Sequence, residues 1–594
     1  MLLPGWFIVS NMKRKTHPLA VVHLKGTQEE MGRQFGEIMK NIGEFEPIFD
    51  FYPVMARNLL LGSLPRDKRN FPAKGFLSMY LKFSQNQMRK RRPEEFSKRT
   101  IAALQAAGKT AKIEKDLFTM DAFQNSVGLL GAIQMLPELA HFGGFGKSQL
   151  VPACTSAAVW GSHSKDGMLY HARNFDFPGV DVWDLRPVVV FCTPTNGLRY
   201  GYVTCRGADA PGITAFNEAG LTLSFHTRFH KKIGSKGLGV IDFGHKIISE
   251  AHNIDEAVEI ARKHKINSTW GAIVTSFRDK GSKAAVIETN FGDMDVTYSQ
   301  AGSESFVNTN HYLSPRLQNG EILASPVFYN HTLGRYKRAH QILAASRSKG
   351  TSVKDLQNLL NDTVDPSSGE FRVMGSTIRQ ITSVKSVVMS PEAQKLYISV
   401  GAAPTGEGPY LEIPIVWEKS PGYKIVGPSV DLSGKKSKTK KNQTSSTQGT
   451  AIEHYKEAML INDNPQLGGI PEMFDQLQQA KKLLQKDPAL SFLQAILKLE
   501  TGEWNEAIRL LEESAAYESG PFRKNQAHLW LARTQSAIGK KKTADHYYEK
   551  VMNGPNTTDG LIWKKKAAED KGGYSKRKLK QVSPNFLLVD VNEL

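Results

Sequence analysis

The chain is 594 residues long with 40% hydrophobic side chains, enough for more than one domain and for a sizeable core. A formal net charge of +19 raises nucleic acid or an anionic surface as a partner. That charge lies largely in short runs (Lys435 to Lys441, Lys564 to Lys566, Lys576 to Lys580, with a scatter at Arg89 to Arg92) that carry no base-reading motif, so no nucleic-acid partner is expected.

The first fifteen residues hold a short apolar stretch with its basic residues on the wrong side for a signal peptide. No later segment reads as a membrane span. A cytoplasmic location is the expectation, and export stays open should the true N-terminus lie upstream. Residues 1–153 read as a helical N-terminal segment. Thr27-Gln28-Glu29-Glu30 has the form of a capping box, and Met31, Phe35, Ile38 and Met39 follow at helical spacing. Helical periodicity returns at Ile101 to Ala107 and Phe118 to Leu130, and a Gly-rich stretch, His141 to Gly146, follows.

Cys154-Thr155-Ser156 opens an alternating run that reads as a strand. Ser164-Lys165-Asp166-Gly167 reads as a turn, and Met168 to Ala172 as the returning strand. This hairpin brings Arg173, Asn174 and Asp176 back beside Cys154, and a cation near a thiol favours the thiolate. The three cysteines, Cys154, Cys192 and Cys205, are too few for a disulfide framework. Neither a papain-like pairing of Cys154 with His311 nor a zinc site at His163 and His171 has the required local signature. Those two histidines read as strand-edge residues. Gly234 to Gly239 lacks the Lys-Ser/Thr of a phosphate loop, so no cofactor or metal is expected.

From Cys154 to about Glu418, short strands and grouped helices alternate in blocks, which argues for antiparallel sheets covered by helices rather than a βαβ parallel sheet. Ser433 to Thr450 is polar and basic and reads as a disordered linker. In the helical block beyond it, Ala495, Gly502, Trp504 and Ala507 recur in spacing as Ala532, Gly539, Lys541 and Ala544, with each glycine at a turn between helices. That pattern resembles tetratricopeptide repeats and suggests a protein partner. The expected division is 1–153, a catalytic domain 154–432, a linker 433–450, a repeat-like region 451–555 and a basic tail 556–594. A chain ending near Ser433 is expected to keep its activity.

Cys-Thr-Ser, a hairpin and then His171-Ala172-Arg173-Asn174-Phe175-Asp176-Phe177 together resemble the N-terminal-nucleophile hydrolases of linear amides. That group includes choloylglycine hydrolase, penicillin V acylase, acid ceramidase and isopenicillin N acyltransferase. The opening around Gly26, Thr27, Gly32, Gln34 and Gly36 is similar to the acyltransferase-type precursors of that superfamily. The resemblance spans about residues 20 to 418. It implies an α+β fold, an αββα sandwich of two antiparallel sheets between helical layers.

It further implies self-cleavage between Ala153 and Cys154, with Cys154 as nucleophile and new N-terminus and Arg173 and Asp176 beside it. Asn217, in Asn-Glu-Ala-Gly-Leu, and Asn310, in Thr-Asn-His-Tyr, are the implied oxyanion or orienting residues, with Asn308 an alternative to Asn310. Arg335 matches a late active-site arginine. The implied activity is hydrolysis of a non-peptide N-acyl amide through a thioester. The alternatives are acyl transfer to an amine and an inactive interaction protein.

Overall fold

The computed structural model describes residues 15–42, 86, 89–108, 153–177, 179–232, 237–267, 269–321, 326–427, 430–431, 447–463, 466–570 and 572–592. The fold is mixed α/β, with two large sheets and a helical C-terminal part. The larger sheet runs, in spatial order, Asp293–Tyr298, Ala284–Asn290, Trp270–Ser276, Leu221–Thr227, Thr214–Asn217, Tyr200–Cys205, Pro187–Pro194, Leu19–Gly26 and Gly422–Val426. The smaller runs Ser305–Asn308, Ala153–Val159, Tyr170–Asp176, Ser383–Ser390, Lys395–Ser399 and Tyr410–Pro414. Every pairing in the two is antiparallel except that of Leu19–Gly26 with Pro187–Pro194, where Ala20 lies opposite Val188.

Strand alternation distributes each strand's apolar residues between two faces. Leu19, Val21, Val189 and Phe216 pack with Val387, Leu396 and Ile398, so the two sheets meet face to face. Ala157, Ala172 and Val307 on the smaller sheet's other face meet Ala339 and Leu343 of helix Pro326–Ser346 and Leu356 of helix Val353–Leu360. On the larger sheet's other face, Val22, Leu24 and Val190 share a core with helices Gln28–Asn41, Glu94–Ala106 and Val240–Glu250.

The capping box is present: Thr27 N donates to Glu30 Oε2 at 2.7 Å, and Glu30 N donates to Thr27 Oγ1 at 3.2 Å. The helical reading of 1–153 misses Leu19–Gly26, a strand inside the larger sheet. Its residues split between the inter-sheet core and the helix-facing core, so both faces are buried and the strand carries an apolar run rather than an alternation. The expectations at Phe118 to Leu130 and His141 to Gly146 lie outside the described residues.

The C-terminal part is a run of helical hairpins. Ala495, Ala507, Ala532 and Ala544 are buried, and Gly502 and Gly539 take φ +85° at the turns. The segment read as a basic tail is folded: helix Thr558–Asp570 buries Trp563, and the closing hairpin Ser583–Asn585/Asp590–Asn592 is flanked by buried Phe586 and Leu588. The apolar residues between its lysines hold it down. Helix Thr447–Asp463 begins inside the stretch read as linker. No described helix is long and apolar enough to cross a membrane.

Candidate active site

The hairpin expected around Cys154 is present, with Ala153 opposite Asp176, Cys154 opposite Phe175 and Ser156 opposite Arg173. Alternation therefore puts Cys154, Ser156, Arg173 and Phe175 on the face toward the larger sheet, and Ala153, Thr155 and Asp176 on the face toward the helices.

The Arg173 guanidinium lies over the Phe175 ring, 4.9 Å from its centroid, with Nη2 3.6 Å from Cys154 Sγ and 2.8 Å from Phe225 O. Nη1 donates to Ile213 O and Thr214 Oγ1. Burial pushes the Cys154 thiol up, against the pull of Arg173, so the thiol is protonated near neutral pH in the intact chain.

The backbone of Cys154 is gripped from a second direction. Strand Ser305–Asn308 ends with Asn308 opposite Ser156, so two residues on Asn310 comes abreast of Cys154. Its Oδ1 accepts from Cys154 N at 2.9 Å and from Arg335 Nη2 at 2.8 Å, and its Nδ2 donates to Thr227 O at 3.2 Å. Arg335 Nη1 donates to Cys154 O at 2.6 Å and to Thr155 Oγ1 at 3.0 Å. Thr332 and Arg335, three apart on one helix face, both serve this site, since Asn310 N donates to Thr332 Oγ1 at 2.8 Å. Burial lowers Arg335 to about 10, still a cation at neutral pH.

Asp176 sits at the cleavage-site end of the hairpin and accepts from Ser383 Oγ at 2.6 Å through Oδ1. Burial pushes its carboxyl up to about 7, against the opposing pull of Arg335, Ser383 and Arg173.

Asn217 is not brought to this cluster. Its Nδ2 donates to Ile248 O at 3.0 Å and Ala251 O at 2.8 Å, at the end of helix Val240–Glu250, and its Oδ1 accepts from Leu221 N at 3.0 Å. Thr214, which Arg173 reaches, lies at the other end of the same strand, about 10 Å away at the usual rise. The residues of this hairpin that do reach the cluster are Ile213 and Thr214 at its entry and Phe225 and Thr227 at the end of the returning strand. Counting back from the Asn217–Gly220 turn would have found them, because Thr214 lies opposite Ser224. Asn308, the alternative to Asn310, accepts through its Oδ1 from Arg228 Nη2 instead.

His171 and His163 are not strand-edge residues but buried ones. His171 Nδ1 bonds Thr222 Oγ1 at 2.7 Å and burial lowers the ring to about 3, while His163 Nε2 bonds Leu343 O at 2.9 Å. Among the described residues no three His, Cys, Asp or Glu side chains gather as a metal set.

The family model described as acyl-coenzyme A:6-aminopenicillanic acid acyl-transferase matches residues 162–403. That span contains Arg173, Asp176, Asn217, Asn310 and Arg335 and starts after Cys154. The match points to acyl-transfer chemistry of the kind found among enzymes related to N-terminal-nucleophile hydrolases. No curated protein matches the chain.

Proposed function

We propose that this protein is a cysteine enzyme of the N-terminal-nucleophile type, with the αββα sandwich that name implies, which cuts its own chain between Ala153 and Cys154 and then moves acyl groups through a Cys154 thioester. The observation that carries this is the threefold grip on one residue: Asn310 on the nitrogen of Cys154, Arg335 on its carbonyl oxygen and Arg173 beside its sulfur.

In the first step the thiol adds to the Ala153 carbonyl carbon, the C–N bond breaks, and the nitrogen leaves with the thiol's proton as a free amine. Water then opens the thioester, releasing the Ala153 carboxyl group and restoring the thiol. In a free N-terminal cysteine the α-amine titrates at about 8 and the thiol at about 8.5, so proton transfer between them is close to thermoneutral. Burial, which pushes the Cys154 thiol up, opposes that transfer and Arg173 favours it. Asn310 Oδ1 already stands where that amine forms. Asp176, protonated or ionised near neutrality, can hold it, and Arg173 favours the thiolate. Asn310 Nδ2, which donates to Thr227 O in the intact chain, is the donor we assign to the developing oxyanion, in place of Asn217, whose amide is taken up by Ile248 O and Ala251 O.

The acyl-enzyme yields to water in an amidohydrolase and to an amine in an acyltransferase, and the family match favours keeping the second. The buried alanines and left-handed glycines of the C-terminal hairpins support the tetratricopeptide-like reading.

N-terminal sequencing of the larger fragment is expected to read Cys-Thr-Ser-Ala-Ala, and Cys154→Ala is expected to stay one full-length, inactive chain. An active wild-type chain that is never cut would defeat this assignment. Incubating the cut protein with an acyl-CoA and an amine, against plain hydrolysis of an N-acyl amide, separates the two activities.

A further inference from the structure

Arg228 and Glu288 form an ion pair sealed inside the protein, both side chains 0% exposed, with Arg228 Nε and Nη2 each 3.2 Å from Glu288 Oε1. Such a pair loses more in desolvation than its attraction returns unless further hydrogen bonds complete it, and an apolar pair would serve stability as well. Here the further bonds converge on one loop. Arg228 Nη1 donates to Thr309 O at 2.6 Å, and Nη2 donates to Asn308 Oδ1 at 2.7 Å. Glu288 accepts from Leu313 N at 2.8 Å and Ser314 N at 2.6 Å. The chain is thus clamped immediately before Asn310 and again just after it.

The clamp sits where the sheet no longer helps. Strand Ser305–Asn308 ends two residues short of Asn310, so no ladder bond of that strand fixes the amide at Cys154. Arg228 follows Thr227, whose carbonyl takes Asn310 Nδ2, so one short segment touches Asn310 and its loop together. Room for the guanidinium comes from the neighbouring strand, where a Cβ on Gly271 would come within 2.6 Å of Arg228 Nη2.

We infer that Arg228 and Glu288 are positioning residues, a buried clamp that holds the loop of Asn310 so that its amide stays on the Cys154 nitrogen. The inference rests on the reading of Cys154 as nucleophile. A planar fork is required because it reaches Glu288, Asn308 and Thr309 at once, which a single ammonium group does not. A misplacement of about 1 Å in a catalytic group can cost about 100-fold in rate.

The test uses the full chain with Arg228→Lys, which keeps the charge and loses the fork, and Glu288→Gln, which keeps the shape and loses the charge. Self-cleavage rate is followed by mass. Once cut, kcat and KM are measured on the N-acyl p-nitroanilide that wild type hydrolyses best, with folding checked by circular dichroism. Slower cleavage and a kcat at least about tenfold lower, with KM within about twofold, are expected in the folded variants. Arg228→Lys decides if Glu288→Gln does not fold. A folded Arg228→Lys chain that cuts and turns over like wild type overturns the clamp and leaves the nucleophile assignment standing. A wild-type chain that neither cuts nor reacts removes both.

Discussion

At Asp176 burial acts on a single carboxyl group: Oδ1 takes the Ser383 hydroxyl, while Oδ2 is enclosed without a hydrogen-bond partner. The charged form is therefore disfavoured, and the folded-state value of about 7 stands above the ordinary carboxylate range. The folded chain holds this proton more tightly than the unfolded one, so the stabilisation is full below about pH 4 and is lost as pH rises through 7. In a Cys154→Ala background, where the chain stays whole, Asp176→Asn removes that loss. The variant is expected to gain up to about 4 kcal/mol over its parent on going from pH 4 to pH 8, read from urea unfolding at both. A difference that does not move with pH would mean that Asp176 ionises as an ordinary surface carboxylate.

Among the elements, the hairpin Thr214–Asn217 and Leu221–Thr227 carries a motif whose asparagine side chain is bonded away from Cys154. Asn217 stands at a strand end before Gly220, which takes φ +94°, and its amide closes the end of helix Val240–Glu250. Asn217→Ala leaves two helix-end carbonyls and the Leu221 N–H without that partner, and is expected to cost about 1–3 kcal/mol of stability. Its kcat/KM should stay within about threefold of wild type, instead of the 100- to 1,000-fold loss, about, that follows removal of an oxyanion donor. Denaturant unfolding and steady-state kinetics on the same preparation check both. The larger loss in kcat/KM would return Asn217 to the site.

For the whole molecule, the C-terminal helices and the sheets are not two cores. One apolar cluster runs from Ala20 and Val22 through Val373, Met374 and Ala403 to Tyr455, Leu490 and Leu531, and a second joins Phe229 and Phe328 to Phe522 and Trp563. Polar contacts cross as well: Lys456 Nζ donates to Ala403 O at 3.1 Å, and Val373 N donates to Asp487 Oδ2 at 2.7 Å. The disordered composition of the linker suggested a removable tail, but composition between two parts says nothing about the faces those parts bury. A chain ending at Ser433 exposes these apolar residues and is expected to aggregate or lose its cooperative melt, checked by size-exclusion chromatography and circular dichroism. A monodisperse, active chain of that length would show that the shared core is dispensable.

Local chemistry in the sequence was enough for the hairpin of Cys154 and Arg173, the Thr27–Glu30 cap, the antiparallel pairing that dominates both sheets, and the glycine turns of the C-terminal hairpins. Each depends on residues a few positions apart. Leu19–Gly26 carries an apolar run like that of its partner Pro187–Pro194, and it was missed because it lies in a segment whose other signals are helical. The convergence of Asn310, Arg335 and Thr227 on Cys154, the spending of Asn217 on a helix end, and the burial of Arg228 against Glu288 depend on register between strands distant in sequence and on which helix covers which face. Those choices are made by packing: a polar group taken out of water must find whatever partner the tertiary structure sets beside it.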